Sequence, residues 1–275
     1  MRSVISSLFM DYSPTSVGET GTGGSPRLAV VTGAASGIGL ATAAALLARG
    51  TDVIGVDLHD GPPELAARCA TWIAGDVAAA ATWDAVRSAA HERGGADCLV
   101  ACAGAIVVAP FLATAPEDFA RLFEVNVLGV VRGMQALVPP MVEQGRGAVA
   151  VVCSVNSLVA EDLMSAYSTS KAALLHAVRS AAIEHARDGV RINAVCPGIV
   201  DTPLLRQHLG TLDDPEGAVA ACERRSPIGR LLRPDEVAEA LCFLVDGAAS
   251  ALAGAALTVD GGLIATYDYD ATAAR

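Results

Sequence analysis

The stretch Thr32-Gly33-Ala34-Ala35-Ser36-Gly37-Ile38-Gly39 follows an apolar run, Leu28–Thr32, and precedes an Ala-rich segment of helical composition. Its glycines allow a tight turn and let the backbone approach a pyrophosphate, and the helix N-terminus beyond offers free N–H groups. A glycine-rich turn alone is weak evidence, but here a strand precedes it and a helix follows it. The turn therefore predicts dinucleotide binding through Gly33, Ser36, Gly37, Ile38 and Gly39.

Two acidic residues follow the next predicted strands. Asp57 ends the second strand, where a carboxylate accepts hydrogen bonds from the adenosine ribose and repels a 2′-phosphate. The only cationic residue between Gly33 and Asp57 is Arg49, late in the helix, so the pattern predicts NAD(H) rather than NADP(H). Asp76 and Val77 follow the third strand, where Asp76 either binds the adenine amino group or caps the next helix.

From residue 27 onward, short β-branched runs alternate with longer Ala/Leu/Arg stretches. Strands are predicted at Leu28–Thr32, 53–57, Thr71–Ala74, 98–102, 148–153, 191–196 and Ala256–Val259. Helices are predicted near 38–49, 63–69, 79–93, 117–144, 164–187 and 234–245. Because the strands are almost continuously apolar, we expect helices on both of their faces. The pattern predicts an α/β fold: a Rossmann-like, doubly wound, seven-stranded parallel sheet that binds ligands at the carboxyl ends of its strands.

The 275 residues fit one domain. We predict a flexible leader over 1–26, which lacks the apolar core of a signal peptide, and a polar tail over 265–275. Residues 27–264 are predicted to form a single dinucleotide-binding and catalytic domain. Within it, 202–230 interrupts the alternation with Thr, Pro, Gly and charged residues, and predicts two short helices that form a lid over a substrate cleft.

Composition disfavours several classes of function. A net charge of −11 argues against a nucleic-acid or anionic-membrane surface, and no continuous apolar run approaches the length of about 20 residues that spans a bilayer. The seven cysteines form no Cys-x-x-Cys pair and no zinc-type spacing, so we expect no metal site and reduced thiols in the cytoplasm. These features favour a cytoplasmic protein with a small-molecule substrate.

The segment Tyr167-Ser-Thr-Ser-Lys171 places a phenol and an ammonium on one face of a predicted helix. An isolated phenol is a poor base because its pKa is about 10, and a neighbouring ammonium favours the phenolate. Such a pair is usually a surface feature, but this lysine is the only one in the chain. Ser154 closes the fifth strand upstream, where its hydroxyl is expected to meet the phenol. The three residues predict general acid/base catalysis.

Asn126 is a polar residue within an apolar helical stretch. Two interpretations remain open. It is either a buried amide satisfied by its neighbours, or it kinks the helix and holds a water that links Lys171 to solvent as a proton relay.

Taken together, these motifs resemble the single-domain branch of the short-chain dehydrogenase/reductase family over residues 27–263. The resemblance rests on the glycine-rich turn, Asp57, Asn126, Ser154, Tyr167 and Lys171. Two further segments are similar to that family's loop after the sixth strand and to its last strand and turn, namely Pro197-Gly198-Ile199-Val200-Asp201-Thr202 and Thr258-Val-Asp260-Gly-Gly262. One segment departs from the family, because Ala101-Cys102-Ala103-Gly104 replaces the usual Asn-Asn-Ala-Gly and so loses amides that brace neighbouring strands in relatives.

The resemblance implies an NAD(H)-dependent enzyme that interconverts a secondary alcohol and a ketone. In it, Ser154 polarises the substrate oxygen, Tyr167 passes the proton, and Lys171 holds the ribose hydroxyls while lowering the pKa of the phenol. The backbone of Ala103 and Gly104 approaches the adenosine ribose. The resemblance also implies contacts with the nicotinamide from the loop residues Pro197, Gly198, Ile199, Val200 and Thr202. Family members are commonly homotetramers built on two long helices, here 117–144 and 164–187.

The substrate cleft is expected to be mostly aliphatic. Candidate wall residues include Ile106, Val107, 155–159, Leu163, Met164 and Leu204, with Asn156 and Glu161 as polar contacts. No arginine has an evident position to hold an anion, and Arg206, Arg224 and Arg225 would do so only if the lid folds inward. This composition favours an apolar or cyclic secondary alcohol.

Two other functions remain open. A reductase of 3-ketoacyl groups on acyl carrier protein would commonly use NADPH and need a basic docking patch, and both Asp57 and the net charge count against it. A catalytically silent cofactor-binding scaffold would be expected to lack part of the Ser, Tyr and Lys set, which is complete here.

Overall fold

The computed structural model describes residues 27–265. Seven parallel strands form one sheet in the order β3-β2-β1-β4-β5-β6-β7. The strands are β1 (Leu28–Thr32), β2 (Asp52–Asp57), β3 (Thr71–Ala74), β4 (Cys98–Ala101), β5 (Gly147–Val152), β6 (Val190–Pro197) and β7 (Ala256–Val259). The predicted doubly wound, seven-stranded parallel sheet is confirmed. The predicted leader over 1–26 and residues 266–275 of the predicted tail lie outside the described residues.

Nine α-helices connect or follow the strands in the described range of 27–265. They are α1 (Gly37–Ala48), α2 (Pro63–Ala66), α3 (Ala80–His91), α4 (Pro116–Phe123), α5 (Gly129–Glu143), α6 (Ser165–His185), α7 (Pro203–Leu209), α8 (Pro215–Arg225) and α9 (Pro234–Val245). Helices α3, α5 and α6 contribute to the apolar core on one face of the sheet, and α1 and α9 contribute to the core on the other.

Alternate residues of β1 enter these two cores. Leu28 and Val30 pack on the face of α3, α5 and α6, whereas Ala29 and Val31 pack on the face of α1 and α9. All four are buried. A strand that is covered on both faces has no solvent side, which explains why its sequence is apolar from Leu28 to Val31.

The helix predicted over 117–144 spans Pro116–Glu143 but is not a regular α-helix throughout. A π-helical turn at Glu124–Leu128 separates α4 from α5. Taken as one helix, Pro116–Glu143 is long and apolar enough to cross a membrane. This was not predicted from the sequence, because polar residues interrupt the apolar ones in this stretch. Of its most apolar window, 56% is buried inside the protein, as in a core helix. The other predicted elements differ mainly at their ends, most of all α2, which ends at Ala66.

The 202–230 segment leaves the sheet after β6 and contains α7 and α8 and no strand. Its base is held by backbone hydrogen bonds that join the chain on either side of it. The N–H of Asp201 donates to the carbonyl oxygen of Leu232 at 2.8 Å. The N–H of Leu232 donates to the carbonyl oxygen of Ile199 at 2.9 Å. The segment therefore starts and ends at the carboxyl edge of the sheet, over the site described next.

Candidate active site

Two adjoining cavities open at the carboxyl ends of the strands. The first, of about 760 Å³, is named here the Asp57 cavity, and the second, of about 690 Å³, the Ser154 cavity. The Asp57 cavity is lined by the predicted residues Gly33, Ser36, Gly37, Ile38, Gly39, Asp57, Asp76, Val77, Ala103, Gly104 and Lys171. The Ser154 cavity is lined by the predicted residues Ile106, Ser154, Asn156, Met164, Pro197, Gly198, Ile199 and Val200. Residues that line both are Ile38, Val152, Tyr167, Thr202 and Leu204.

The glycine-rich turn is packed too tightly for side chains. Gly33 has φ +67°, and a Cβ atom on it would lie 2.9 Å from the backbone nitrogen of Ala103. A Cβ atom on Gly39 would lie 2.1 Å from the carbonyl oxygen of Gly33. Ser36 is the N-cap residue of α1 but makes no side-chain capping bond, so among residues 27–265 the first N–H groups of α1 have no side-chain acceptor. Such a helix start is suited to an anionic group.

The carboxylate of Asp57 is held by two backbone N–H groups. Ala35 donates to Oδ2 at 3.0 Å, and His59 donates to Oδ1 at 3.1 Å. The first bond ties the end of β2 to the glycine-rich turn, so the carboxylate has a fixed position beside that turn. Each oxygen keeps a further lone pair, which leaves it able to accept another hydrogen bond.

Asp76 does not cap α3. The N-cap residue of α3 is Ala79, which makes no side-chain capping bond, and Asp76 Oδ1 instead accepts the N–H of Ala78 at 2.8 Å. The capping interpretation of Asp76 is therefore wrong. Its exposed carboxylate lines the Asp57 cavity beside the buried Val77.

Tyr167 and Lys171 lie in the first two turns of α6. The side chain of Lys171 is 4% exposed, and its Nζ donates to the carbonyl oxygen of Val152, at the end of β5, at 2.8 Å. Nζ also lies 5.8 Å from the centroid of the Tyr167 ring. The single lysine of the chain is thus a buried cation beside a phenol that faces both cavities.

Ser154 follows β5 directly and begins a 3-10 turn, Val155–Ser157. Its Oγ accepts the N–H of Asn156 at 3.1 Å, and its own N–H donates to Ser157 Oγ at 3.3 Å. No hydrogen bond joins the Ser154 and Tyr167 side chains within residues 27–265, so the expected direct contact is not formed. Both side chains line the Ser154 cavity.

Asn126 is fully buried in the π-helical turn and lines neither cavity. Its Oδ1 accepts the N–H of Ala105 at 2.8 Å, and its Nδ2 donates to the carbonyl oxygen of Ala105 at 3.0 Å and to Ser170 Oγ at 2.9 Å. A Cβ atom on Gly104 would lie 3.3 Å from Asn126 Oδ1 and 3.6 Å from Lys171 Nζ. The amide is therefore satisfied by its neighbours, in an interrupted helix and close to the lysine.

A matched pair of buried amides tests what Asn126 does beyond stabilising the fold. Asn193 is also fully buried and bridges the backbone of Leu252 and Ala255, away from both cavities. Each replacement leaves buried backbone groups without a hydrogen-bond partner. We therefore expect Asn126→Ala and Asn193→Ala to lower the free energy of unfolding by about 2 kcal/mol each. Only Asn126→Ala should also lower kcat, by about tenfold to a hundredfold, since it misplaces Gly104 and Lys171. Urea unfolding and steady-state rates on both variants measure the two effects, and equal rates would restrict Asn126 to a structural role.

The segment 101–104, which lacks the family's two asparagines, is held in place by a threonine on the neighbouring strand. Thr32 Oγ1, at the end of β1, accepts the N–H groups of Cys102 at 3.1 Å and Ala103 at 3.2 Å. These bonds hold the ends of β1 and β4 together without the amide side chains. Burial raises the pKa of the Cys102 thiol to about 12, so this cysteine behaves as a neutral, apolar side chain.

The walls of the Ser154 cavity differ in part from the prediction. Val108 lines it, whereas Val107 and residues 157–159 do not. Of the three arginines considered for an anion, Arg206 forms an ion pair with Asp201 at 2.6 Å, and neither Arg206 nor Arg224 lines the cavity. Arg225 does line it, since α8 folds over the cavity. The sequence carries no signal for this, because it depends on where α8 packs.

Comparisons with known proteins find similar sequences and similar structures. Residues 33–264 match a family model described as Enoyl-(Acyl carrier protein) reductase. The chain is 42% identical to cis-4-hydroxycyclohexanecarboxylate dehydrogenase of Sinomonas cyclohexanicum, over 87% of this chain and 97% of that protein. It is 40% identical to 2-(R)-hydroxypropyl-CoM dehydrogenase of Xanthobacter autotrophicus, over 86% and 97%. A solved structure of L-sorbose reductase from Gluconobacter frateurii, complexed with NADPH and L-sorbose, is similar with a TM-score of 0.81 and 30% identity, over 88% of this chain and 98% of that one.

Proposed function

Because this chain belongs to the short-chain dehydrogenase/reductase family, we propose that it interconverts secondary alcohols and ketones with NAD(H), with Tyr167 as the general acid/base. One observation carries the proposal: Tyr167 lies on the wall shared by the Asp57 and Ser154 cavities, beside the buried Lys171. A side chain in that position can exchange a proton with a substrate in one cavity while a cofactor fills the other.

The described residues fit a dinucleotide. The close packing around Gly33 and Gly39 leaves backbone and open helix N–H groups for a pyrophosphate, and Asp57 has free lone pairs for ribose hydroxyls. The adenine end would lie against Asp76 and Val77. We propose that the ring end is held by the 197–200 backbone and by the hydroxyl of Thr202. A bound nicotinamide supplies or accepts the hydride.

The chain's own residues handle the proton. Since the Asn156 N–H occupies one lone pair of Ser154 Oγ, the serine hydroxyl keeps its proton to donate to the substrate oxygen. Tyr167 takes the proton of an alcohol or returns it to a ketone. The Lys171 ammonium, held by the Val152 carbonyl, stabilises negative charge on the phenol, and its burial strengthens this interaction.

The initial test is a rate comparison on purified full-length protein. With NAD⁺, we expect oxidation of cyclic and short linear secondary alcohols, and with NADH the reduction of the matching ketones. NADH binding without turnover of any alcohol or ketone would contradict the proposal and favour a cofactor-binding scaffold.

The choice of NAD(H) rests on Asp57. The family also includes a protein solved with NADPH, so the preference must come from the residues beside the ribose. We expect Asp57→Asn to raise the ratio of kcat/KM with NADP⁺ to kcat/KM with NAD⁺ by about tenfold to a hundredfold, because the variant loses both a charged acceptor and the repulsion of a 2′-phosphate.

Asp60→Asn is the matched control for that experiment, because Asp60 is exposed, makes no bond in the described part of the chain and does not line the Asp57 cavity. Its cofactor ratio should equal that of the wild type. A wild-type preference for NADP⁺ would show that the role given to Asp57 is wrong.

The substrate is proposed to be a secondary alcohol on a small ring or short chain. Support comes from the aliphatic walls of the Ser154 cavity and from the names of two relatives, which act on a hydroxycyclohexanecarboxylate and on a hydroxypropyl compound. The description of the matched family model favours an acyl-carrier-protein substrate instead. Acetoacetyl and crotonyl thioesters with NADPH and NADH therefore belong in the same panel, and faster turnover of these would favour that alternative.

We also propose a homotetramer built on α4, α5 and α6, and a cytoplasmic location. Ile183 on α6 is 80% exposed and Phe123 on α4 is 40% exposed, so these helices offer apolar surface for packing between subunits.

All seven cysteines are free, as is usual in a reducing compartment. The 202–230 segment is proposed to act as the lid of the Ser154 cavity.

A further inference from the structure

A chain of hydrogen bonds runs along one wall of the Ser154 cavity. It starts at Ser154 Oγ, which accepts the Asn156 N–H at 3.1 Å. Asn156 Nδ2 then donates to Glu161 Oε2 at 3.2 Å, and Arg225 Nη1 donates to Glu161 Oε1 at 2.7 Å. All four residues line the cavity. The wall therefore connects the proposed reacting end of the cavity to a guanidinium on α8.

The guanidinium of Arg225 has donors to spare. Within residues 27–265 its one hydrogen-bond partner is Glu161, which uses one of five N–H groups. The side chain remains 53% exposed, whereas that of Glu161 is 29% exposed. A carboxylate on one edge fixes the planar group and leaves the other edge open to a second planar anion.

The lining of the Ser154 cavity carries the carboxylates of Glu161 and Asp162 and the guanidinium of Arg225. Apart from His208, Arg225 is the one basic side chain among the described residues that line it. Both oxygens of Glu161 already accept hydrogen bonds, and Asp162 Oδ1 accepts the N–H of Leu163 at 3.0 Å. Neighbouring walls from the lid segment are largely apolar, with Leu209, Leu212, Ala218, Ala221 and Cys222. Arg225 is thus the group in this wall that has N–H donors left for an anion, and it lies beside apolar surface.

We propose that Arg225 binds a carboxylate or sulfonate of the substrate, positioned by Glu161, so that the substrates are hydroxy acids whose acid group lies far from the reacting carbinol. We infer that the acid is remote because, within residues 27–265, Arg225 makes no hydrogen bond to Ser154 and is linked to it through Glu161 and Asn156, so we expect α-hydroxy acids to be poor substrates. This inference rests on the alcohol oxidation proposed above. It adds the specificity-determining residue and the class of substrate.

The test compares a charged substrate with an uncharged one of the same shape. We expect kcat/KM with NAD⁺ to be about tenfold to a hundredfold higher for cis-4-hydroxycyclohexanecarboxylate than for its carboxamide, the effect of one charge-assisted pair. Arg225→Leu should bring this ratio close to one, and Arg225→Lys should restore part of it. Arg224→Leu is the control, because Arg224 is adjacent in α8 and does not line the cavity, and its ratio should remain that of the wild type.

A binding measurement separates this inference from the proposed function. Cyclohexanecarboxylate has no hydroxyl to oxidise, so its binding to the NADH-loaded protein, measured by calorimetry, does not depend on turnover. We expect Arg225→Leu to weaken this binding at least tenfold and Arg224→Leu to leave it unchanged. Turnover ratios near one in the wild type, equal binding in all three proteins, or better turnover of α-hydroxy acids would each overturn the inference. Specific binding without oxidation of any alcohol would overturn the proposed function alone.

Discussion

Tyr167→Phe is expected to lower kcat for alcohol oxidation by about a hundredfold to ten-thousandfold, which is the range for loss of a general acid/base. The ring stays in place, so the packing around Lys171 and the shape of both cavities are retained, and only the phenol oxygen is lost. We expect the serine hydroxyl not to replace it, because the one hydrogen bond that Ser154 Oγ makes among the described residues is with the Asn156 N–H, which is not a base. Single-turnover and steady-state rates with NAD⁺ and a cyclic alcohol measure the loss.

Two accompanying measurements identify the cause of that loss. The dissociation constant for NADH, followed by its fluorescence, should change less than about threefold, since the contacts proposed for the dinucleotide come mainly from Asp57 and the glycine-rich turn. The midpoint of urea unfolding should also be close to that of the wild type, because the phenol is only partly buried. Activity within a few-fold of wild type would remove Tyr167 from the proton-transfer role.

Gly39→Ala is expected to lower the free energy of unfolding by about 3 kcal/mol or more and to abolish measurable NADH binding. Its backbone conformation suits any residue, so the effect comes from space alone. The new Cβ would lie 2.1 Å from the carbonyl oxygen and 2.5 Å from the carbonyl carbon of Gly33. Because both atoms are backbone, α1 must move away from β1, and the pyrophosphate turn opens.

Gly50→Ala provides the comparison, since Gly50 ends the same helix region at φ +81° with nothing within 4 Å of a Cβ atom. The expected cost there is about 1 kcal/mol from the left-handed backbone, with unchanged NADH binding. Urea unfolding and fluorescence titration on both variants check this. Normal NADH affinity in Gly39→Ala would show that the turn tolerates a side chain, and that the close packing does not shape the cofactor site.

The strands and most helices could be predicted because their pattern follows from local physics. The β1 bounds, Leu28–Thr32, coincide with the prediction since Gly33 ends the strand with a positive φ. The two short helices in 202–230 follow from the pairs Thr202-Pro203 and Asp214-Pro215 at their starts, in which the first residue caps the helix. By contrast, α2 ends earlier than predicted, because nothing in its sequence distinguishes its last turn from the loop that follows.

The site residues were predictable where motif spacing sets them, and not where tertiary packing does. The Tyr167–Lys171 pair and the glycine-rich turn are each a local pattern within one segment of the chain. The structure brings both patterns to the two cavities. The contact between Arg225 and Glu161 joins residues 64 positions apart through the packing of α8 over the sheet edge. No periodicity encodes such a meeting. The partners of Asn126 were likewise hidden, because they are the backbone of Ala105 in a distant loop and the hydroxyl of Ser170 on α6.

The π-helical turn at Glu124–Leu128 amounts to one residue inserted into a helix, which shifts the helical phase by about 100°. Before it, Leu122 of α4 is fully buried, and after it, Val130 and Leu137 of α5 enter the core. Deleting one residue from the turn would restore a regular helix, but it would rotate one of these faces out of the core or carry the Asn126 amide away from Ala105. The extra residue therefore lets the apolar faces of α4 and α5 both point into the core while Asn126 stays next to Ala105. A regular helix at this point in the chain would not allow both.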